Sequence, residues 1–500
     1  MEQNQQPNAE NTSRSAEIVG KSNGETGKQA INAAESGDNP PKSKKNFPKP
    51  LFSRFARLRM RKRLTLSNGG SVTFLLAALV GVLGALATVG FRETLALMQI
   101  ALGGTLPTGH SGGGLVAFAK SLETWQRVLI PVAGGVLAGL VLLWAGRKPR
   151  RGGADYMEAI AVGRGYIGFL PTMAKSVSSV FSISTGASIG REGPMVQLAA
   201  MLASITGRFL VLPPRHLRLL VACGATAGIT SAYNAPIAGA IFISEIVYGV
   251  ISTSTLAPLI VASVVANIVT RQILGYEAVF RMPEFELVYG WEILGYLGLG
   301  LAAGVLAPRF LGVLDFARSS FGKLNWPIWA KLGLGGLIVG LISTVQPEVW
   351  GNGYSVVNGF LHESSAWHVV AVLLVLKIFA TAASTGSGAI GGVFTPTLFV
   401  GAALGVLYGT ALHYFFPGLQ LSPASSYAVV GMGALLAATT YAPLMSILMI
   451  FEMTLSYEVM LPLMLACMTG FVVAKRIRPQ SVYAKSLASN RRARSMGESL

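Results

Sequence analysis

Runs of apolar residues, separated by glycine-rich or charged segments, follow one another along most of the sequence. The clearest runs are residues 72–89, 128–145, 256–269, 293–307, 332–343 and 461–474. A helix needs about 20 apolar residues to cross a bilayer, and several runs are shorter or are interrupted by glycine. Such short runs are typical of broken and tilted helices. The pattern therefore predicts an all-α polytopic membrane protein.

Composition and charge agree with this prediction. Hydrophobic residues make up 52% of the chain and charged residues only 12%, whereas soluble domains carry about 25% charged residues. Most of the net charge of +18 lies at the ends, in residues 1–63 and 475–500. Positive residues beside spans stay cytoplasmic, so both termini are expected in the cytoplasm of a bacterium, with the protein in its inner membrane. Neither tail combines base-stacking aromatics with a folded basic face, which argues against a nucleic-acid partner.

Changes in composition divide the chain into five predicted segments. Residues 1–66 form a polar and then basic cytoplasmic tail, expected to be disordered and to approach the anionic headgroups of the lipid bilayer. Residues 67–275 form a first membrane repeat, and residues 276–290 form a polar connection. Residues 291–476 form a second membrane repeat, and residues 477–500 form a short basic cytoplasmic tail.

An internal duplication relates the two membrane segments. Pro236 precedes Glu245 by nine residues, and Pro443 precedes Glu452 by the same spacing. Glycine-rich loops also end at Pro194 and at a matching proline in the second half, each opening an apolar helix. If the repeats are inverted, helix N-termini from both halves meet near the midplane, and two positive dipole ends favour an anion. A parallel repeat remains an alternative at this stage.

The loop before Pro194 carries the first candidate for chemistry. Its glycines leave backbone N–H groups exposed next to a helix N-terminus, which is an anion-binding arrangement. The Glu192 side chain can compete with an anionic ligand for these donors and so act as a gate. The alternative is that Arg191 and Glu192 form an ion pair that closes the loop.

A few other polar residues stand out in the apolar core. Lys175 interrupts an apolar run, which indicates either a buried pair or a positive charge that shapes the field along a pathway. Asp155 follows a glycine-rich loop and is a candidate helix N-cap. Cys223 and Cys467 lie in apolar runs, and the five histidines do not cluster, so neither a metal site nor another cofactor is expected.

Two motifs carry a family resemblance. They are Gly190-Arg-Glu-Gly-Pro194 and Gly392-Val-Phe-Thr-Pro396, supported by the Ala-Pro helices of both halves and by Tyr483. Here the chain resembles the ClC family of chloride channels and chloride/proton exchangers over residues 72–485. The short segment after residue 485 makes it similar to the short bacterial members. The resemblance implies the ClC fold, with two inverted-topology repeats, and a homodimer with one pathway per subunit.

The resemblance also assigns roles by position. Glu192 corresponds to the gating glutamate, and backbone N–H groups of the two motifs correspond to anion ligands. Tyr483 corresponds to the tyrosine whose hydroxyl faces the central anion, and Phe394 corresponds to a residue that lines the path. The anion-binding residues implied in this way are Gly190, Arg191, Glu192, Gly193, Val393, Phe394 and Tyr483.

Two departures from the family pattern modify this interpretation. The first family loop usually contributes a serine to the central anion, but here the region is Arg151-Gly-Gly-Ala-Asp155, which leaves only backbone groups such as those of Gly152 and Gly153. Proton-exchanging relatives carry a second glutamate directly after the position of Glu245, where this chain has Ile246.

The expected function is therefore transmembrane chloride transport gated by Glu192, by passive conduction or uncoupled transport, and no enzyme activity is expected. The ordinary motif residues around Glu192 favour chloride over fluoride. A chloride/proton antiporter is the alternative. A membrane-embedded enzyme is a more remote one, because no paired aspartates, histidine set or Ser–His pair has convincing spacing in the core.

Overall fold

The structure is a computed structural model that describes residues 69–103, 114–146, 155–275, 279–280, 292–363 and 365–483. In these ranges the chain is helical, and its only extended pairing is an isolated bridge between Gly190 and Gly392. The predicted N-terminal tail, most of the 276–290 connection and the C-terminal tail after residue 483 lie outside the described residues.

The described part of the first half contains nine helices. They are α1 (Gly69–Ala101), α2 (Gly114–Ser121), α3 (Thr124–Gly146), α4 (Tyr156–Ala161), α5 (Phe169–Ser184), α6 (Glu192–Phe209), α7 (Pro214–Tyr233), α8 (Pro236–Phe242) and α9 (Thr253–Leu274). A π-helical turn, Ile243–Tyr248, extends α8.

The second half contains eight helices within the described ranges. They are α10 (Ile293–Lys323), α11 (Ile328–Val345), α12 (Tyr354–His362), α13 (Trp367–Ser387), α14 (Phe394–Phe415), α15 (Ala424–Thr440), α16 (Pro443–Thr454) and α17 (Met460–Ile477). A 3₁₀ turn, Pro347–Val349, precedes α12.

Eight of the described helices are long and apolar enough to cross a membrane: α1, α3, α9, α10, α11, α13, α14 and α17. The six apolar runs fall in α1, α3, α9, α10, α11 and α17, although α10 continues to Lys323, well beyond the run that ends at residue 307. The short helix α2 was not predicted, because a window of eight residues carries too little periodicity to be recognised, whereas the start of α4 follows the predicted N-cap Asp155.

Local sequence explains where several helices begin and end. Proline occupies the first turn of α7, α8 and α16, where the missing N–H has no helical partner. Asn234 and Tyr441 adopt left-handed conformations at the ends of α7 and α15. The chain therefore breaks just before Pro236 and Pro443, at corresponding places in the two halves.

Small residues allow the helices to approach closely. A Cβ on Gly405 would overlap the backbone of Tyr427, and a Cβ on Gly431 would overlap the Gly401 carbonyl. These contacts pack α14 against α15. Such small-residue interfaces are a general feature of membrane helix packing, because they bring backbones into van der Waals contact.

Two glutamates tie the repeats together in a reciprocal way. Glu245, after α8, accepts the N–H groups of Leu444 and Met445 at the start of α16, the latter at 2.7 Å. Glu452, near the end of α16, accepts the N–H groups of Ile237 and Ala238 at the start of α8, at 2.8 and 2.7 Å. Each helix end therefore caps the start of the other, so α8 and α16 run antiparallel. This exchange is the relation expected of inverted repeats.

Candidate anion-binding site

The two motif loops lie against each other, although about 200 residues separate them in sequence. The Gly190 N–H donates to the Gly392 carbonyl at 2.7 Å, and the Gly392 N–H donates to the Gly190 carbonyl at 2.9 Å. Helix α6 begins at Glu192 and helix α14 at Phe394, directly after this pairing. Two helix N-termini therefore meet at one place, where their dipoles favour negative charge.

The Glu192 carboxylate occupies this meeting point. The residue is only 5% exposed, and its Oε1 accepts a hydrogen bond from the Thr395 hydroxyl at 2.5 Å and a long one from the Tyr354 hydroxyl at 3.5 Å. Its buried Oε2 has no hydrogen-bond partner and lies where a Cβ on Gly190 would be. A buried carboxylate oxygen without a donor is costly, so the helix N-termini are the main compensation for its charge.

A cavity of about 600 Å³ extends from Glu192 toward the segment that follows α17. Aromatic side chains narrow this cavity. The ring centres of Tyr233 and Phe394 lie 4.7 Å apart, and the rings of Phe242 and Tyr483 pack edge to face with their centres 5.8 Å apart. Charged side chains also line this cavity. They are Asp155, Lys175, Glu192, Asp315 and Arg318.

Most of the residues predicted for the site come together here. The cavity is lined by Lys175, Glu192, Gly193, Val393, Phe394 and Tyr483. Gly152 and Gly153 lie outside the described residues.

Gly190 and Arg191 differ from expectation. The Gly190 N–H is bonded to Gly392, so it is not available to an anion, and the glycine instead leaves room for the Glu192 carboxylate. The Arg191 guanidinium carbon lies 5.7 Å from the centre of the Tyr354 ring, and its side chain borders a separate small space next to Arg92. Both residues therefore shape the loop around Glu192 without lining the main cavity.

Sequence reasoning missed the donors to Glu192. Thr395 could have been predicted, because it lies inside the second motif. Tyr354 could not have been predicted, because nothing in the local sequence indicates that the start of α12 contacts Glu192. The turn before Tyr354 is held by Lys377, a fully buried lysine of α13 that donates to the carbonyls of Val349 and Gly351 at 2.9 and 2.8 Å. A lone lysine within an apolar span was the available signal.

Asp155 is the helix N-cap that the sequence predicted. Its Oδ1 accepts the N–H of Tyr156 at 2.8 Å, at the start of α4. Asp155 lies between the candidate spans. Burial raises the pKa of its carboxyl above the ordinary value, and the Lys175 ammonium opposes that rise. The side chain lines the cavity, where the sequence analysis expected only backbone groups.

Comparisons with known proteins agree with this geometry. The family model for voltage gated chloride channels matches residues 134–475. A ClcB-like chloride channel protein of Ralstonia nicotianae is 60% identical over 422 residues, which are 83% of this chain and 96% of that protein. The voltage-gated ClC-type chloride channel ClcB of Citrobacter koseri is 39% identical over the same length, covering 83% of this chain and 99% of that protein.

Solved structures have the same fold. A slow cyanobacterial Cl⁻/H⁺ antiporter superposes with a TM-score of 0.72 and 26% identity, over 84% of this chain and 97% of that one. A CLC-type fluoride/proton antiporter superposes with a TM-score of 0.69 over 83% of this chain and 97% of that one, and at 21% identity it supports the fold alone. The protein is thus an all-α, multi-pass membrane protein with the ClC fold, and it belongs to the voltage-gated chloride channel (ClC) family.

Proposed function

We propose that the protein carries chloride across the membrane along a path that Glu192 gates. The observation that carries this proposal is the position of the Glu192 carboxylate, buried where two helix N-termini meet and bearing one oxygen without a partner. An anion that takes the place of this carboxylate gains the same dipoles. Protonation or displacement of Glu192 then opens the path. The ClcB relatives, named as chloride channels, support chloride as the ion.

Passive or uncoupled conduction is the form of transport that the residues favour. Ile246 stands where exchangers of the family carry a second glutamate, and an isoleucine cannot hold a proton. The neighbouring Glu245 is bound to the start of α16 by two backbone N–H groups, which favours a structural role for it. Likeness to a Cl⁻/H⁺ antiporter keeps proton exchange as the second candidate. The enzyme alternative has no support in a family of channels and transporters.

The assembly and location follow the family. We propose a homodimer with one pathway in each subunit, in a bacterial inner membrane, with both termini in the cytoplasm. The basic ends of the chain support this orientation, because positive residues next to spans stay on the cytoplasmic side.

Flux from liposomes tests the proposed function. Purified protein is reconstituted into chloride-loaded liposomes that are then diluted into low chloride, and chloride efflux and external pH are followed together. We expect chloride efflux without an uphill pH change. Glu192→Gln should keep conducting and lose the part of the pH dependence of efflux that Glu192 contributes, since the amide carries no titratable proton.

Three results separate the alternatives. An uphill pH change that an uncoupler abolishes would establish the antiporter and contradict passive conduction. Unchanged pH dependence in Glu192→Gln would remove Glu192 from the gate. No anion efflux from well-folded protein would overturn chloride transport itself.

A further inference from the structure

A second carboxylate shares the cavity with Glu192. Asp155, from the start of α4, and Lys175, from α5, both line the cavity that holds Glu192, Phe394 and Tyr483. Lys175 exerts the strongest effect of any charged side chain on Asp155. Tyr483 lies within electrostatic range of both Glu192 and Asp155. Asp155 is therefore part of the same electrostatic environment as the predicted anion ligands.

The Asp155 carboxylate has few partners. Its Oδ1 shares a single donor with another acceptor, because the Tyr156 N–H points to both Asp155 Oδ1 at 2.8 Å and Gln197 Oε1 at 2.9 Å. No cation within the described ranges forms an ion pair with Asp155, so Lys175 acts on it from beyond 4 Å. The negative charge of a partly buried carboxylate is weakly compensated when it shares its hydrogen-bond donor with another acceptor and its cation is distant.

A chloride ion entering this part of the cavity meets this negative charge. Lys175 and the Tyr483 hydroxyl attract the ion, whereas an ionised Asp155 repels it and competes with it for Lys175. Chloride occupancy and protonation of Asp155 must then favour each other, because coupling between two binding events is reciprocal.

We propose that Asp155 is a titratable gate on the anion path, and that it takes up a proton when chloride occupies the cavity beside Lys175 and Tyr483. The inference rests on the proposed transport of chloride. It adds a proton-binding residue at the place where the family's serine is missing, and it differs from the Glu192 gate in residue and position. Asp155 also caps α4, so its charge and its capping role must be separated.

Other titratable groups surround Asp155. On its own helix they are Tyr156 and Glu158, and Glu158 opposes ionisation of Asp155. The helices α7 and α6, which pack against α4, add no cation to the cavity lining, and Glu245 of the adjacent π-helical turn is bound to α16. The groups that line the cavity from other elements are Lys175, Glu192, Tyr233, Asp315, Arg318 and Tyr483.

The sign of the pH effect follows from the repulsion. Protonated Asp155 does not repel chloride, so affinity is highest at low pH and falls as pH rises through the pKa of Asp155. Bound chloride in turn raises that pKa, so chloride binding draws protons from the buffer.

Isothermal titration of the full chain in detergent tests this coupling. Chloride is titrated at pH 5 and at pH 8 into Glu192→Gln, which removes the other gate. We expect a Kd roughly tenfold higher at pH 8, within the usual range of coupling between sites, and heats that depend on the buffer because protons are taken up.

The matched variant is Glu192→Gln with Asp155→Asn. Asparagine caps a helix about as well as aspartate but has no charge, so the double variant should bind chloride equally at both pH values and without proton uptake. Asp155→Ser in the same background is a second neutral cap, in case the asparagine variant folds poorly.

The outcomes are distinguishable. A pH-independent Kd in Glu192→Gln, or a pH dependence that survives removal of Asp155, would overturn this inference and leave the proposed function standing. No chloride binding to folded Glu192→Gln at pH 5, together with no chloride efflux from the wild-type protein, would overturn both.

Discussion

The proposed gate at Glu192 depends on a missing side chain two residues earlier. A Cβ on Gly190 would overlap Glu192 Oε2 and approach the Thr395 hydroxyl to 3.2 Å. The loop itself is fixed by its two hydrogen bonds to Gly392. Because the carboxylate is the free end of a flexible side chain, it should move before the loop does. Gly190 thus leaves the space that the Glu192 carboxylate occupies.

Gly190→Ala should open the path. The added methyl group displaces the Glu192 carboxylate from its position between the two helix N-termini, so an anion no longer competes with it there. We expect chloride efflux from liposomes to rise several-fold, toward that of Glu192→Gln, with weaker dependence on pH. A barrier to efflux lowered by about 1 kcal/mol corresponds to a rate about five times higher.

Gly193→Ala is the matched control in the same motif. A Cβ there lies 3.5 Å from the nearest atom, the Gly392 nitrogen, which is ordinary contact, and the backbone N–H is retained. Its efflux should stay close to wild type. If efflux from Gly190→Ala is equal to or lower than that of the wild-type protein, the added methyl group does not displace the Glu192 carboxylate.

At the scale of elements, α8 and α16 are too short to be stable alone. Helix α8 has seven residues before its π-helical turn, and α16 has 12, whereas isolated helices of this length are marginal. The reciprocal bonds of Glu245 and Glu452 supply acceptors for N–H groups that a helix start leaves unpaired. Each of these two glutamates therefore stabilises the helix start in the other repeat, and the bonds hold α8 and α16 side by side.

Glu452→Gln should destabilise the fold. Glu452 is 8% exposed and accepts two backbone N–H groups, and the amide retains only one acceptor oxygen and no charge. We expect the free energy of unfolding to fall by about 1–3 kcal/mol, seen as a lower midpoint of thermal unfolding in detergent. Glu245→Gln should have a smaller effect, because Glu245 is less buried.

Glu458→Gln is the control for this pair, because Glu458 lies exposed in the loop after α16 and accepts a hydrogen bond from the neighbouring Ser456 hydroxyl. Its thermal midpoint should match wild type. An unchanged midpoint in Glu452→Gln would mean that packing alone holds the two helix starts together.

At the scale of the whole molecule, residues from both repeats build the candidate site. Beyond the Gly190–Gly392 pairing, the Ser188 N–H of the first half donates to the Ser384 hydroxyl at 3.0 Å, and the Ser188 hydroxyl lies 3.1 Å from that of Thr381. The site is built where the halves meet, so the predicted boundary between residues 275 and 291 divides the sequence but not the site.

Both ends of the chain should be accessible from the cytoplasm only. Ser22→Cys and Ser495→Cys, made separately after replacement of the buried Cys223 and Cys467, can be labelled with a membrane-impermeant maleimide. We expect labelling in inside-out vesicles and none in right-side-out vesicles, because the basic ends resist translocation. Detergent-permeabilised vesicles control for reactivity, and labelling of one end from the outside would contradict the orientation.

The sequence by itself determined the class of protein and pointed to the place of the proposed gate. Apolar runs predicted the spans because hydropathy is a local property, and the repeated Pro–Glu spacing predicted the duplication. The motifs pointed to Glu192, Val393 and Phe394, and the family resemblance added Tyr483. Their presence in one cavity agreed with the sequence because each motif lies at a helix start, whose dipole is also a local property.

Only the tertiary structure decided which atoms meet. It assigned the Gly190 N–H to Gly392, brought Thr395 and Tyr354 to Glu192, and turned the Asp155 side chain into the cavity. These pairings join segments that are distant in sequence, and they depend on how two repeats pack against each other. A local pattern carries no information about such contacts, because burial and hydrogen-bond geometry are set by the neighbours that the fold supplies.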